Sequence, residues 1–148
     1  NILQLMNESY GTFLNTAQLK GIELKLQIPS DMRVFTNVYL FRAITRNAMS
    51  NAIKFTARGG IVEVSAREAE EGGIEISIRD TGIGMSEQMM AGLFLLGTNT
   101  GRKGTGGEPG TGLGLIICKD FIEKQGGRFR IESKEGVGTT VFFTFPTV

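Results

Sequence analysis

Ile74-Glu75-Ile76-Ser77-Ile78-Arg79-Asp80-Thr81-Gly82-Ile83-Gly84-Met85 changes character near its middle. Apolar and polar residues alternate through Ile78, the period of a half-buried strand. An acid and two glycines then follow, which places Asp80 at a strand end and the glycines in a turn. A carboxylate there can accept a hydrogen bond from a purine amino group, and it disfavours a purine with an oxygen at the same position. Gly82 and Gly84 carry no side chain where a flat base must slide in, and Ile83 and Met85 can pack on its faces. Read alone, the stretch is better explained as an Asp-x-Gly turn of the kind common in unrelated proteins.

Two further motifs flank it. Upstream lies Asn47-x-x-x-Asn51, on a helix for which Asn37 is a plausible N-cap and which runs to about Thr56. At about 100° per residue, Asn47, Asn51 and Lys54 share one narrow arc at the edge of the apolar stripe of Leu40, Ile44, Ala48, Ala52 and Phe55. Two amides there either bond neighbouring backbone and solvent or serve a ligand, since burial without partners is costly. As ligand groups, an amide oxygen can bind Mg²⁺, whose remaining shell is water and phosphate, and Lys54 can answer phosphate charge. Downstream, Gly110-Thr111-Gly112-Leu113-Gly114-Leu115 opens a helix. The free N–H groups and dipole of a helix start favour phosphate. Leu115 departs from the dinucleotide fingerprint, and no Gly-Lys-Ser/Thr is present for a P-loop. A flexible hinge between helices explains these glycines equally well when they are taken alone. In this order the three motifs describe an ATP site.

Composition narrows the alternatives. A chain of 148 residues suits one domain. Its 16 basic and 15 acidic residues leave a charge of +1, so no basic excess points to nucleic acid. With no histidine, Ser-His triads and His metal sites are excluded. The one cysteine, Cys118, sits in an apolar stretch and reads as a buried thiol in a cytoplasmic chain. No run of eighteen apolar residues occurs, so nothing in this fragment is expected to span or contact a membrane, while a membrane anchor elsewhere in the parent protein stays an open alternative. The start at Asn1, without Met or a signal peptide, suggests a fragment of a longer protein.

Helices and strands alternate along the rest. Residues 2–20 have helical apolar spacing, and Gly21 ends the helix. This segment is expected either to pack beside the sheet or to continue a linker. Residues 22–28 alternate as a strand stopped by Pro29. Residues 61–66 and 74–78 form antiparallel strands around a turn at 70–73. A short helix covers about 87–96. Seven glycines and almost no apolar residue in 97–112 predict a mobile loop. A helix over about 112–125 ends at Gly126-Gly127, and 128–133 with 139–145 make a closing hairpin. The class is α+β: a two-layer sandwich, a mixed β-sheet with helices on one face.

Taken together, the motifs resemble the N, G1 and G2 boxes of the ATP-binding domain of sensor histidine kinases. That family shares its Bergerat-type nucleotide fold with DNA gyrase, Hsp90 and MutL. Asn51-Ala-Ile-Lys-Phe-Thr is similar to the end of an N box, and Leu93-Phe94 resembles an F box. Gly126-Gly, followed by Glu132-Ser-Lys-Glu-Gly-Val-Gly-Thr-Thr, resembles the usual closing hairpin. The resemblance covers about residues 22–146 and implies residues 21–148 as the catalytic domain, with 1–20 a helical linker segment.

The resemblance implies Asn51 as the Mg²⁺ ligand, Asn47 near the phosphates, Lys54 as a phosphate contact and Phe55 as an aromatic beside the nucleotide. It implies Asp80 as the adenine acceptor, with Thr139 sharing a water and the base. Residues 97–110 would be an ATP lid, from which Arg102 or Lys103 reaches the terminal phosphates. Gly97 stands where the F box often has a second Phe, which leaves the lid's packing open.

Hydrolases of this fold resemble Glu-x-x-x-Asn, whereas Asn47 cannot take a proton as a base. The expectation is therefore transfer of the γ-phosphate from Mg–ATP to a histidine on a separate dimerisation domain, with a response regulator downstream. The fragment is expected to be monomeric and its parent a homodimer. A regulatory nucleotide-binding module without kinase activity, and an ATPase of the gyrase type, are the other readings.

Overall fold

A computed structural model describes residues 1–34, 36–70, 72–88 and 114–146. In chain order its elements are α1 (Ile2–Lys20), β1 (Glu23–Gln27), α2 (Val38–Lys54), β2 (Ile61–Glu68), β3 (Ile74–Asp80), α3 (Gly114–Lys124), β4 (Arg128–Lys134) and β5 (Gly138–Phe145). The strands form one sheet in the order β1-β2-β3-β5-β4. β1 and β2 are parallel and every other pairing is antiparallel, so the sheet is mixed as expected.

Strand alternation divides the sheet into two faces. Val62, Val64, Ile74, Ile76, Ile78, Val141, Phe143 and Phe145 are buried on one face, beneath the helices. Full burial of one such side chain contributes about 1.5–3 kcal/mol. Phe41 of α2 packs on Phe145 with ring centroids 5.5 Å apart, and Phe129 meets Phe143 at the same separation. The opposite face carries Glu63, Arg67, Glu75, Arg79 and Arg130, linked by exposed ion pairs such as Arg67–Glu75 at 2.9 Å.

Local chemistry sets the helix ends. Asn37 Oδ1 accepts the Tyr39 and Leu40 N–H groups at 2.9 and 3.2 Å, satisfying amides that the first turn leaves unpaired. Gly21, at φ 77°, closes α1 in the left-handed conformation that glycine adopts without strain.

α1 contributes Ile2, Met6 and Ala17 to the common core. Its Lys20 ammonium donates to the Ile53 and Lys54 carbonyls at 3.0 and 2.8 Å. A cation there complements the negative end of the α2 dipole.

Candidate functional site

The sheet's buried face ends in polar residues on one side. Along β3 the inward residues are Ile74, Ile76, Ile78 and then Asp80. Along β5, read backwards, they are Phe145, Phe143, Val141 and then Thr139, and along β4 they are Phe129, Ile131 and then Ser133. The register sets the three terminal residues in one row, because Asp80 pairs with Thr139 and Thr139 with Ser133. A carboxylate and two hydroxyls therefore stand side by side where the apolar layer stops.

Asp80 is 8% exposed. Its Oδ1 accepts the Gly82 N–H at 2.9 Å and the Thr139 N–H at 3.2 Å. Two backbone donors suit a buried carboxylate and fix its plane. Ser133 completes the row. Its Oγ accepts the Met85 N–H at 2.8 Å and lies 2.7 Å from Thr139 Oγ1.

The turn after Asp80 is clamped on two sides. The Ile83 N–H donates to the Phe55 carbonyl at 3.0 Å, joining the turn to the end of α2. The Gly136 N–H donates to the Ile83 carbonyl at 2.8 Å, joining it to the β4–β5 turn. These approaches account for the glycines. A Cβ at Gly82 would lie 2.3 Å from Phe55 O, and one at Gly84 would lie 2.0 Å from Lys134 O. Gly84 also holds φ 66°. Both glycines are thus required by backbone packing alone, a reason beyond room for a ring. Met85 is buried at 7% exposure and Ile83 is 38% exposed, so the two differ in how freely a ligand could touch them.

The last turns of α2 carry the second group of candidates, and Phe55 at its end meets the Asp80 turn through the Ile83 N–H. Asn47, Asn51, Lys54 and Phe55 are all half-buried, as expected at the margin of a core-facing stripe. Ala48, Met49, Ala52 and Ile53 beside them are buried. The Lys54 ammonium lies 5.1 Å from the centre of the Phe55 ring. Gly114 and Leu115 begin α3, which packs against α2. Phe94, Arg102, Lys103, Gly110, Thr111, Gly112 and Leu113 lie outside the described residues, as do the expected lid and most of the short helix before it.

Sequence reasoning passed over Ser133 and Gly138. The signal for Ser133 was present, as a polar residue that ends the Phe129, Ile131 alternation. Gly138 has φ 146°, and a Cβ there would lie 2.1 Å from Asp80 O, a constraint that appears only once β3 and β5 are paired.

Comparison with known proteins points one way. Residues 37–148 match the family described as histidine kinase-, DNA gyrase B-, and HSP90-like ATPase. The virulence sensor protein BvgS of Bordetella bronchiseptica is 39% identical over 87% of this chain, and the match covers 11% of BvgS. The histidine protein kinase DivJ of Caulobacter vibrioides is 38% identical over 86% of this chain, and the match covers 21% of DivJ. The chain thus spans a small fraction of the length of these relatives. The crystal structure of full-length ShkA in complex with AMPPNP has a TM-score of 0.80 and 27% identity, covering 99% of this chain and 30% of ShkA.

Proposed function

The chain belongs to the histidine kinase-, DNA gyrase B- and HSP90-like ATPase family, and from that premise we propose that it binds Mg–ATP and donates the γ-phosphate to a histidine on a separate domain. That domain would be the dimerisation domain of the same parent protein, a homodimer, and a response regulator would receive the phosphate next. Residues 21–148 would be the catalytic domain, with 1–20 a helical linker segment that packs on its core. No helix among the described residues is long and apolar enough to cross a membrane.

The observation that carries the reading is the buried carboxylate of Asp80, held by two backbone amides at the point where the apolar layer ends. A core does not need a carboxylate there, and burying one is costly. Its oxygen chemistry suits the adenine amino group. Thr139, paired with Asp80 across the strands, adds a hydroxyl beside it. In this scheme Ile83, Met85 and Phe55 contact the base and Phe94 borders the site. Asn47 and Lys54 face the phosphates, as does Lys103 of the lid. The Gly110–Leu115 segment, from which α3 starts, offers its N–H groups to them.

The described donors fit Mg²⁺ only as a partner of phosphate. Among the described residues no group of three or more Asp, Glu, His or Cys side chains could hold a metal ion. One neutral amide oxygen, that of Asn51, suits a cation whose other ligands are phosphate oxygens and water. When bound, Mg²⁺ would neutralise phosphate charge during transfer. The protein's own part would be positioning: Asp80 would fix the base, while α2 carries Asn51 one helical turn and Lys54 two turns beyond Asn47, toward the end that meets the Asp80 turn.

Transfer of labelled γ-phosphate to a separately added helical domain bearing a histidine tests the proposal. Steady ATP hydrolysis without transfer would favour the gyrase-type reading. ATP binding with neither activity would favour a regulatory module.

A further inference from the structure

We propose that Ser133 is a positioning residue that fixes the hydroxyl hydrogen of Thr139 and thereby helps the site choose between purines. The proposal rests on the nucleotide reading above.

Ser133 Oγ meets three groups. It accepts the Met85 N–H at 2.8 Å, lies 3.2 Å from the Gly138 carbonyl, and lies 2.7 Å from Thr139 Oγ1. A hydroxyl has one hydrogen and two acceptor lone pairs. The Gly138 carbonyl has no hydrogen, so Ser133 must be the donor in that contact. The Met85 N–H occupies one lone pair. The other lone pair can then be filled only by the Thr139 hydrogen. This arrangement makes all three bonds. If Ser133 instead donated to Thr139, the bond to Gly138 would be lost.

The consequence falls on Thr139. With its hydrogen committed to Ser133, its oxygen offers only acceptor capacity to a ligand. The Thr139 backbone N–H is committed to Asp80 Oδ1 at 3.2 Å. Asp80 and Thr139, neighbours in the strand register, are then two acceptors side by side. An amino group satisfies them, whereas a purine carbonyl oxygen meets lone pairs. Removing the Ser133 hydroxyl frees the Thr139 hydrogen to turn outward and donate to that carbonyl. Ser133 acts only through Thr139 in this scheme.

Inosine triphosphate is the probe, since it carries the carbonyl without the extra amino group of guanine. Affinities for ATP and inosine triphosphate are measured on the intact chain by calorimetric titration. Ser133→Ala is expected to lower the ratio of ATP to inosine triphosphate affinity by roughly three- to tenfold, the scale of one hydrogen bond. Ser133→Thr, which keeps the hydroxyl, is expected to hold the ratio near wild type. In a Thr139→Val background, Ser133→Ala is expected to leave the ratio unchanged, as two residues acting through one contact should.

A purely structural role would weaken both nucleotides in step, and an unchanged ratio in Ser133→Ala overturns the proposal. If Ser133→Ala does not fold, Ser133→Cys, whose thiol accepts weakly, carries the same comparison. Asp80→Asn separates the two levels. If it leaves ATP affinity intact, the nucleotide reading itself fails. If it weakens ATP while Ser133→Ala leaves the ratio fixed, only the role of Ser133 fails.

Discussion

The Thr139 backbone N–H donates to Asp80 Oδ1 at 3.2 Å across the β3–β5 pairing. The same oxygen accepts the Gly82 N–H at 2.9 Å, so the fold holds it twice. Asp80→Asn can keep that oxygen as the amide carbonyl while an NH₂ replaces the other. Folding stability is expected to fall by less than in Asp80→Ala, while ATP affinity falls by at least about tenfold because an acceptor becomes a donor. Asp80→Ala removes both oxygens, strands the buried Gly82 and half-buried Thr139 amides, and is expected to cost about 2–4 kcal/mol of stability. Nucleotide titration and urea unfolding of the two variants check this. Equal loss of stability in both would contradict it.

Gly84 and Gly136 separate backbone strain from crowding. Both have positive φ, 66° and 81°, but a Cβ at Gly136 meets open space while one at Gly84 lies 2.0 Å from the Lys134 carbonyl. Gly136→Ala is expected to cost about 1–2 kcal/mol from conformation alone. Gly84→Ala adds a clash of backbone with side chain and is expected to cost at least about 2 kcal/mol more. Denaturant midpoints of the two variants measure the difference. Matching midpoints would mean that the Asp80 turn can move away from the β4–β5 turn at little cost.

What the chain announces in advance is periodic or local. The alternation of 74–78, the Asn37 cap, the Gly21 stop and the α2 stripe each depend on residues a few positions apart. The first three are found where the pattern puts them; in α2, Ile44, Ala48 and Ala52 are buried as the stripe requires, but Leu40 and Phe55 are half-buried and Phe41, Met49 and Ile53 take their place in the core. Asp80 was legible because it interrupts an apolar row at a strand end. The clamp around it was not, because it is made by partners far apart in sequence. Phe55 O holds the Ile83 N–H, and Ser133 lies beside Met85 and Thr139. The glycines show the limit most clearly. A ligand and a backbone crossing both call for a missing Cβ, and the sequence does not distinguish them. The expected lid lies outside the described residues, so its basic contacts stay on the sequence side.

Lys20 ties α1 to the helix that carries the candidate phosphate and metal groups. Its ammonium donates to two carbonyls, Ile53 and Lys54, at the end of α2. Lys20→Met keeps most of the aliphatic stem and removes the charge and both hydrogen bonds. The expected loss of stability is about 1–2 kcal/mol, from the helix dipole and the bonds together. With Ile2, Met6 and Ala17 in the common core, α1 of the wild type is also expected to resist limited proteolysis about as well as the sheet does. Early release of residues 1–20 would contradict that packing.

Asn51 is the residue on which the metal proposal turns, and the metal can be tested apart from the nucleotide. The side chain is half-buried near the end of α2. Replacement by Ala, the best helix former, should leave the fold intact. If the amide oxygen is an Mg²⁺ ligand, Asn51→Ala is expected to lower ATP affinity by about tenfold or more when Mg²⁺ is present, and to change it little when Mg²⁺ is chelated. Asn51→Asp gives the complementary pattern. The new carboxylate repels bare phosphates yet attracts the cation, so the dependence of ATP binding on Mg²⁺ should steepen relative to wild type. Asn47→Ala serves as the comparison one turn away and should weaken ATP with and without Mg²⁺ alike, because its assigned role is toward phosphate. Titrations of the three variants with ATP, at saturating Mg²⁺ and with chelator, decide the point. If Asn51→Ala and Asn47→Ala respond identically to Mg²⁺ removal, the amide of Asn51 has no special claim to the metal.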